Sequence, residues 1–305
     1  MIFILDDTLM ENQDCLNELA KFLLLACEKE QKVKCSANMF DFLETRVLKV
    51  DFIGKQDIEL IRSNESLWDI STAYQTAFTS VIVGLSPEMI RLDVAMRILK
   101  NKSRVVLENS SNDWPTIKKW VELFNTKIRT KYKTVNSIVY KAILNKWLVQ
   151  EHAGGGGGTI ARRLESLADE NYADIDRYKL TTVFDSDKTE KNDVDKHKSL
   201  FRYLEEHGIF GHELIKRELE NYYSWETYTL AHKTSTPTPP TEDNDVYDYL
   251  DIAKCENINL QKQDMADMAA FMSPKRLVKR LQNNQGNFGG EYEVQTIILM
   301  FAKVI

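Results

Sequence analysis

The sequence predicts an α/β protein: a mostly parallel sheet flanked by helices, with helical extensions on its amino- and carboxyl-terminal sides. Three observations carry that prediction. Compact apolar runs at residues 104–108 (RVVLE), 146–151 (KWLVQE) and 179–184 (KLTTVF) read as buried strands. Parallel strands covered on both faces are continuously apolar rather than alternating. Segments with apolar residues at helical spacing lie between these runs, the alternation that builds a parallel sheet. The 305 residues are 43% hydrophobic, enough to bury a core and to form one large domain or two ordinary ones.

In chain order, residues 1–102 read as a mostly helical region. Residues 12–30 place Leu16, Leu19, Ala20, Phe22, Leu23, Leu24 and Cys27 near one helical stripe. Residues 69–83 and 87–99 continue in that style, with Ser86 as cap and Pro87 at the first helical position. Phe3, Leu5 and residues 47–52 add short strands. From 103 to 232 strands and helices alternate. The strand 104–108 is followed by a helix over 114–131, with Trp114, Ile117, Trp120, Val121, Phe124 and Ile128 at helical spacing, and by a second helix near 136–145. The strand 146–151 runs into five glycines, Gly154 to Gly158, and a helix from Thr159 to about Ala168. The strand 179–184 ends at Asp185-Ser186-Asp187; a helix over 194–207 and a fourth short strand over 213–216 complete the region. Residues 233–245 hold three of the six prolines and predict a linker or exposed loop. Residues 246–305 form a helical extension with Met265, Met268, Met272, Leu277, Val278 and Leu281, a turn-rich stretch at 283–290, and an apolar strand or helix at 296–304.

Composition narrows the function. Lys and Arg number 40 against 46 Asp and Glu, a net charge of −6, which excludes a uniformly basic nucleic-acid coat but not a local basic face. No apolar run approaches the length of a membrane span. The start MIFILDDTL has acids where a signal peptide carries basic residues. The four cysteines (Cys15, Cys27, Cys35, Cys255) form no CxxC pair, so a zinc ribbon is not indicated and a cytoplasmic protein with reduced thiols is expected. The five histidines show no paired spacing, and no GxSxG motif occurs.

In an open α/β sheet, function sits at the carboxyl ends of the strands. That rule selects Glu108 after the first strand of residues 103–232, the glycine run after the second, and Asp185 and Asp187 after the third. Carboxylates converging on one rim repel one another, and the simplest remedy is a hard cation such as Mg²⁺ or Mn²⁺. Taken singly, Glu108 is a strand-end acid and Asp185-Ser186-Asp187 a turn or helix cap. The glycine run lacks the lysine and hydroxyl of a phosphate loop. Arg162 and Arg163 follow it in the first turn of a helix, where positive charge opposes the helix dipole and suggests phosphate contact. Residues 101–150 hold ten Lys or Arg against three acids; the cluster Lys127, Arg129, Lys131 and Lys133, with Tyr132 inside it, suits a phosphate backbone, or a solvated helix end.

The order strand-Glu, helix, strand-glycines, helix, strand-DxD resembles the Toprim domain of topoisomerases, bacterial primases and nucleases of the overcoming-lysogenization-defect family. The resemblance covers about residues 103–230. The segment LIKRELENYY at 214–223 looks like that of Toprim nucleases associated with ABC-type ATPases in antiphage defence. One departure is Asn109 where many Toprim domains have glycine after the first Glu, with Asp113 a few residues on. The resemblance implies an Mg²⁺- or Mn²⁺-dependent nuclease. Glu108, Asp185 and Asp187 would hold metal, Glu220 would be a further acidic ligand, and Lys216 would stabilise charge on phosphate. It implies a nucleic-acid substrate, DNA or RNA with DNA slightly favoured, an ABC-type ATPase partner, and leaves room for homo-oligomers. The alternative is a catalytically silent Toprim-like module that binds or regulates an ATPase complex. A receiver-like domain fits less well, because its acids come from different strands.

Overall fold

Two parallel sheets organise the chain, one in each of two units: Met1–Lys102 with Ala302–Ile305, and Ser103–Phe301. The computed structural model describes residues 1–51, 53–63, 77–155, 157–168, 175–194, 196–261, 264–281 and 291–305.

The first unit runs β1 (Ile2–Leu5), α1 (Leu16–Glu28), β2 (Lys32–Cys35), α2 (Ala37–Thr45), α3 (Lys55–Ser63), β3 (Ser80–Val83) and α4 (Leu92–Lys100). β1 is central, with Phe3 opposite Val33 on β2 and Val81 on β3, both pairings parallel. The region expected to be mostly helical is thus α/β. Its strands are four residues each, too short for their period to stand out among helical stripes. Of the helix expected over 69–83, residues 69–76 lie outside the described residues. Residues 80–83 are a strand, in which buried Val81 and Val83 alternate with exposed Ser80 and Ile82. Residues 47–49 form a 3-10 turn rather than a strand, and Phe52 lies outside the described residues. Ser86 and Pro87 do not start a helix: residues 84–89 form bends and a turn, with the Met89 N–H on Ser86 O at 2.9 Å, and the Ile90 N–H then bonds Ile82 O at 2.9 Å just before Arg91, the N-cap of α4.

The second unit runs β4 (Ser103–Leu107), α5 (Ser110–Thr126), α6 (Lys133–Leu144), β5 (Leu148–His152), α7 (Gly157–Leu167), α8 (Asp176–Lys179), β6 (Leu180–Phe184), α9 (Lys198–His207), β7 (Phe210–Glu213), α10 (Trp225–Leu230), α11 (Asn244–Asp248), α12 (Met265–Phe271), α13 (Pro274–Arg280) and α14 (Glu293–Ala302). The strand order is β5-β4-β6-β7, all parallel. Ile160, Leu164 and Leu167 of α7 and Leu200 and Leu204 of α9 pack on Val106, Leu180 and Phe184, which share one sheet face. α5 and α6 pack against β4 and β5. Each such Leu, Ile or Phe contributes roughly 1.5–3 kcal/mol on burial. Thr181 and Thr182 are tolerated inside because their hydroxyls donate to Phe210 O (2.7 Å) and Val106 O (2.8 Å).

Two sequence expectations shift, and two that offered alternatives take one of them. α5 begins at Ser110 rather than 114, because the Asp113 carboxylate accepts the Asn109 N–H at 3.0 Å and caps an earlier turn. β7 occupies 210–213 rather than 213–216, since Gly208, left-handed at φ 63°, ends α9 and feeds the strand sooner. Residues 296–304 belong mostly to the helix α14. The proline-rich stretch is a loop inside the second unit and separates no domains; Thr236 O accepts from the Trp225 indole N–H at 2.8 Å. The turn expected at 283–290 lies outside the described residues. Among the described residues no helix is long and apolar enough to cross a membrane.

Candidate functional site

β4 and β6 are parallel neighbours with Val106 opposite Thr182. Glu108 lies just past the end of β4 and Asp185 just past the end of β6, so both emerge at the same carboxyl-terminal rim. Two more carboxylates join them. Asp113 comes from the first turns of α5, and Glu220 from the 3-10 turn Leu219–Tyr222. The charges of Glu220, Asp113 and Glu108 all act on Asp185, and those of Glu220 and Glu108 on Asp113.

The electrostatics record the crowding. Burial pushes the Asp113 carboxyl up to about 7; the Asn109 N–H works against that rise, and Glu220 and Glu108 reinforce it. Asp185 is raised well above the carboxylate range, first by burial, then by Glu220, Asp113, Glu108 and Glu218. A carboxylate in such company takes a proton or a cation.

The LENY turn assembles the site. The Leu219 N–H donates to Asp185 Oδ1 at 3.2 Å, so the turn that delivers Glu220 also holds Asp185. Asn221 is fully buried; its amide donates to Tyr247 O and Leu250 O, both at 2.9 Å, and its Oδ1 accepts from the Glu218 N–H at 3.0 Å. The Tyr223 hydroxyl meets Thr116 Oγ1 of α5 at 2.7 Å, and the Tyr228 hydroxyl donates to Glu220 O at 2.9 Å. The glycine run closes the rim from β5: the Gly155 N–H donates to Glu108 O at 2.9 Å, with Gly154 and Gly155 at φ 98° and 90°, angles that exclude side chains.

Other expected site residues lie elsewhere. The leading charges on Asp185 are Glu220, Asp113, Glu108 and Glu218, whereas Asp187 acts on Arg217 and Glu218. The Asp187 backbone is left-handed at φ 54°, which ends the strand alternation that would have put it on one face with Asp185. Lys216 is 1% exposed, and its ammonium pairs with Asp248 Oδ2 at 2.5 Å, with Arg280 on the other oxygen of the same carboxylate. It is a core ion-pair residue, not one facing phosphate. Arg163 is bound to Glu151 at 2.6 Å, and Arg104 pairs with the same carboxylate, so Arg163 holds β5 rather than a ligand. Arg162 is exposed on α7. Lys127, Arg129, Lys131 and Lys133 are all exposed, with the Lys131 ammonium 5.1 Å from the Tyr132 ring centroid.

The sequence reading left Asp113 without a role and missed Asn221 as the anchor of the turn. The signal for Asp113 was present, an acid in the first turns of the helix that follows Glu108. Among the described residues, no set of three or more His, Cys, Asp or Glu side chains is already spaced to hold a metal ion. No protein-family model, curated protein or solved structure matches the chain.

Proposed function

We propose that the second unit is a Toprim-type, divalent-metal-dependent phosphodiesterase acting on nucleic acid. The observation that carries this reading is the convergence of Glu108 and Asp185 on one rim of adjacent parallel strands, with Asp113 and Glu220 in electrostatic reach. The donor set is all hard oxygen and carries more negative charge than its surroundings neutralise, which fits Mg²⁺ or Mn²⁺. Glu108, Asp185 and Glu220 would hold the ion. When bound, such an ion supplies charge neutralisation for a phosphodiester and a more acidic water. The protein's own part is to fix the carboxylates: Asp185 through the Leu219 N–H, Glu108 through its strand end and the Gly155 contact. The motif order supports an antiphage effector acting with an ABC-type ATPase.

The second reading, a catalytically silent partner-binding module, is favoured by Asp187, which acts on Arg217 and Glu218 rather than leading the charges on Asp185. One experiment separates the two. Purified chain is titrated with Mn²⁺ by calorimetry and incubated with DNA and RNA, alone and with candidate ATPases. Glu108→Gln and Asp185→Asn are expected to abolish Mn²⁺ binding and to lower cleavage by about 10²-fold or more. Mn²⁺ binding that both variants retain removes the carboxylates from the mechanism; binding without cleavage selects the silent module.

A further inference from the structure

The second unit contains a cleft that the carboxylate site does not use. Its cavity measures about 950 Å³, at the upper end of the range for ligand sites. Trp225 and Tyr247 form an apolar wall, and α13 supplies Lys275, Arg276, Lys279 and Arg280. Lys275 and Lys279 are one helical turn apart and exposed, and among the described residues neither makes an ion pair. Arg276 is tied to Glu226 at 2.7 Å, yet its Nε is buried without an acceptor among the described residues. Arg280 is committed to Asp248. Glu226 is held below its ordinary range by the Arg276 hydrogen bond, with Lys275 and Lys279 adding to the effect. The lining therefore carries four cations against two exposed carboxylates, Glu226 and Glu242.

Its position says what it would hold. The segment that delivers Glu220 to the carboxylate site continues directly into Ser224 and Trp225 of the cleft lining. Five residues span at most about 18 Å, two to three nucleotide steps. We infer that this cleft guides a single nucleic-acid strand, its phosphates along the Lys275–Lys279 row, toward the carboxylates. The inference rests on the nucleic-acid reading above, though not on cleavage itself.

The test is fluorescence anisotropy of the full chain with labelled dT20 and rU20 in EDTA, in an Asp185→Asn background, across a salt series. Lys275→Ala/Lys279→Ala is expected to weaken binding about tenfold and to reduce the slope of log affinity against log salt by about two. Glu226→Gln, at a side chain 65% exposed, is expected to tighten binding. The preferred oligonucleotide assigns DNA or RNA. Unchanged affinity and slope in the double variant, or no binding of either oligonucleotide, overturns the cleft. Loss of ATP binding alone, with oligonucleotide affinity intact, overturns it in favour of a nucleotide site. A wild-type chain that binds in this way but never cleaves with Mn²⁺ overturns the nuclease reading and leaves the cleft standing.

Discussion

Asp248 shows how much one side chain organises. It is 2% exposed and receives both Lys216 and Arg280. Removing one member of a buried ion pair strands the other charges, at a cost of about 3–5 kcal/mol. Asp248→Asn is therefore expected to lower urea-unfolding stability by about that amount, and a loss under 1 kcal/mol would assign the cluster little weight. Lys216 gives a pH signature. Burial first, then the neighbouring Arg280, bring its pKa down to about 8 against the opposing pull of Asp248, whereas an ordinary lysine lies at 10.5. Between those values the unfolded chain binds the extra proton, so stability attributable to Lys216 rises with pH. The stability difference between wild type and Lys216→Met is expected to shift in favour of wild type from pH 8 to pH 10; a constant difference would mean the lysine keeps its usual proton. This role was not legible in the sequence, because Asp248, which Lys216 pairs with, and Arg280, which shares that carboxylate, lie far downstream. Glu108 and Asp185 were legible, since an acid directly after a continuous apolar run marks the rim of a parallel sheet. Asp187 was misplaced because a left-handed residue in a DxD is not visible in the residue types.

Among elements, β7 makes one close approach to its neighbours. A Cβ built on Gly211 would lie 2.5 Å from Leu204 Cδ1 and 3.1 Å from Thr182 Cγ2. Leu204 is itself locked in the core on β4 and β6, so it cannot simply rotate away. Gly211→Ala is expected to cost about 1–3 kcal/mol, measured by chemical unfolding; a neutral result would mean α9 can slide off the sheet. β4 and β6 were readable to within a residue or two, because both are central and mostly buried; the edge strand β5, buried only at Leu148, was marked by its short apolar start alone. β1, β2 and β3 were mostly not, since four residues fit a helical stripe as easily as a strand. The LENY turn was legible only as a motif. Its function depends on Asn221 reaching carbonyls of residues 247 and 250, a contact between distant parts of the chain.

For the whole molecule, the alternation of strand and helix predicts the parallel architecture of the second unit, and the break in style near residue 103 coincides with the boundary between the units. Less was visible in charge. The sequence shows a basic stretch at 101–150, but the cations lining a concave surface come from α13, where four Lys or Arg fall within Pro274–Arg280 and whose place beside Glu226 no local pattern gives. Folding gathers Lys275, Arg276 and Lys279 around Glu226, although three prolines and a loop lie between that acid and the helix.

The carboxylate site also carries a timetable. Its acids come from three separate stretches, and Asp185 gains its Leu219 N–H only once the turn that brings Glu220 has formed. A polypeptide still being synthesised can therefore pair β4 and β6 while the carboxylate cluster is still incomplete. On the proposed function, any hydrolytic capacity would be withheld from the nascent chain until well past residue 220.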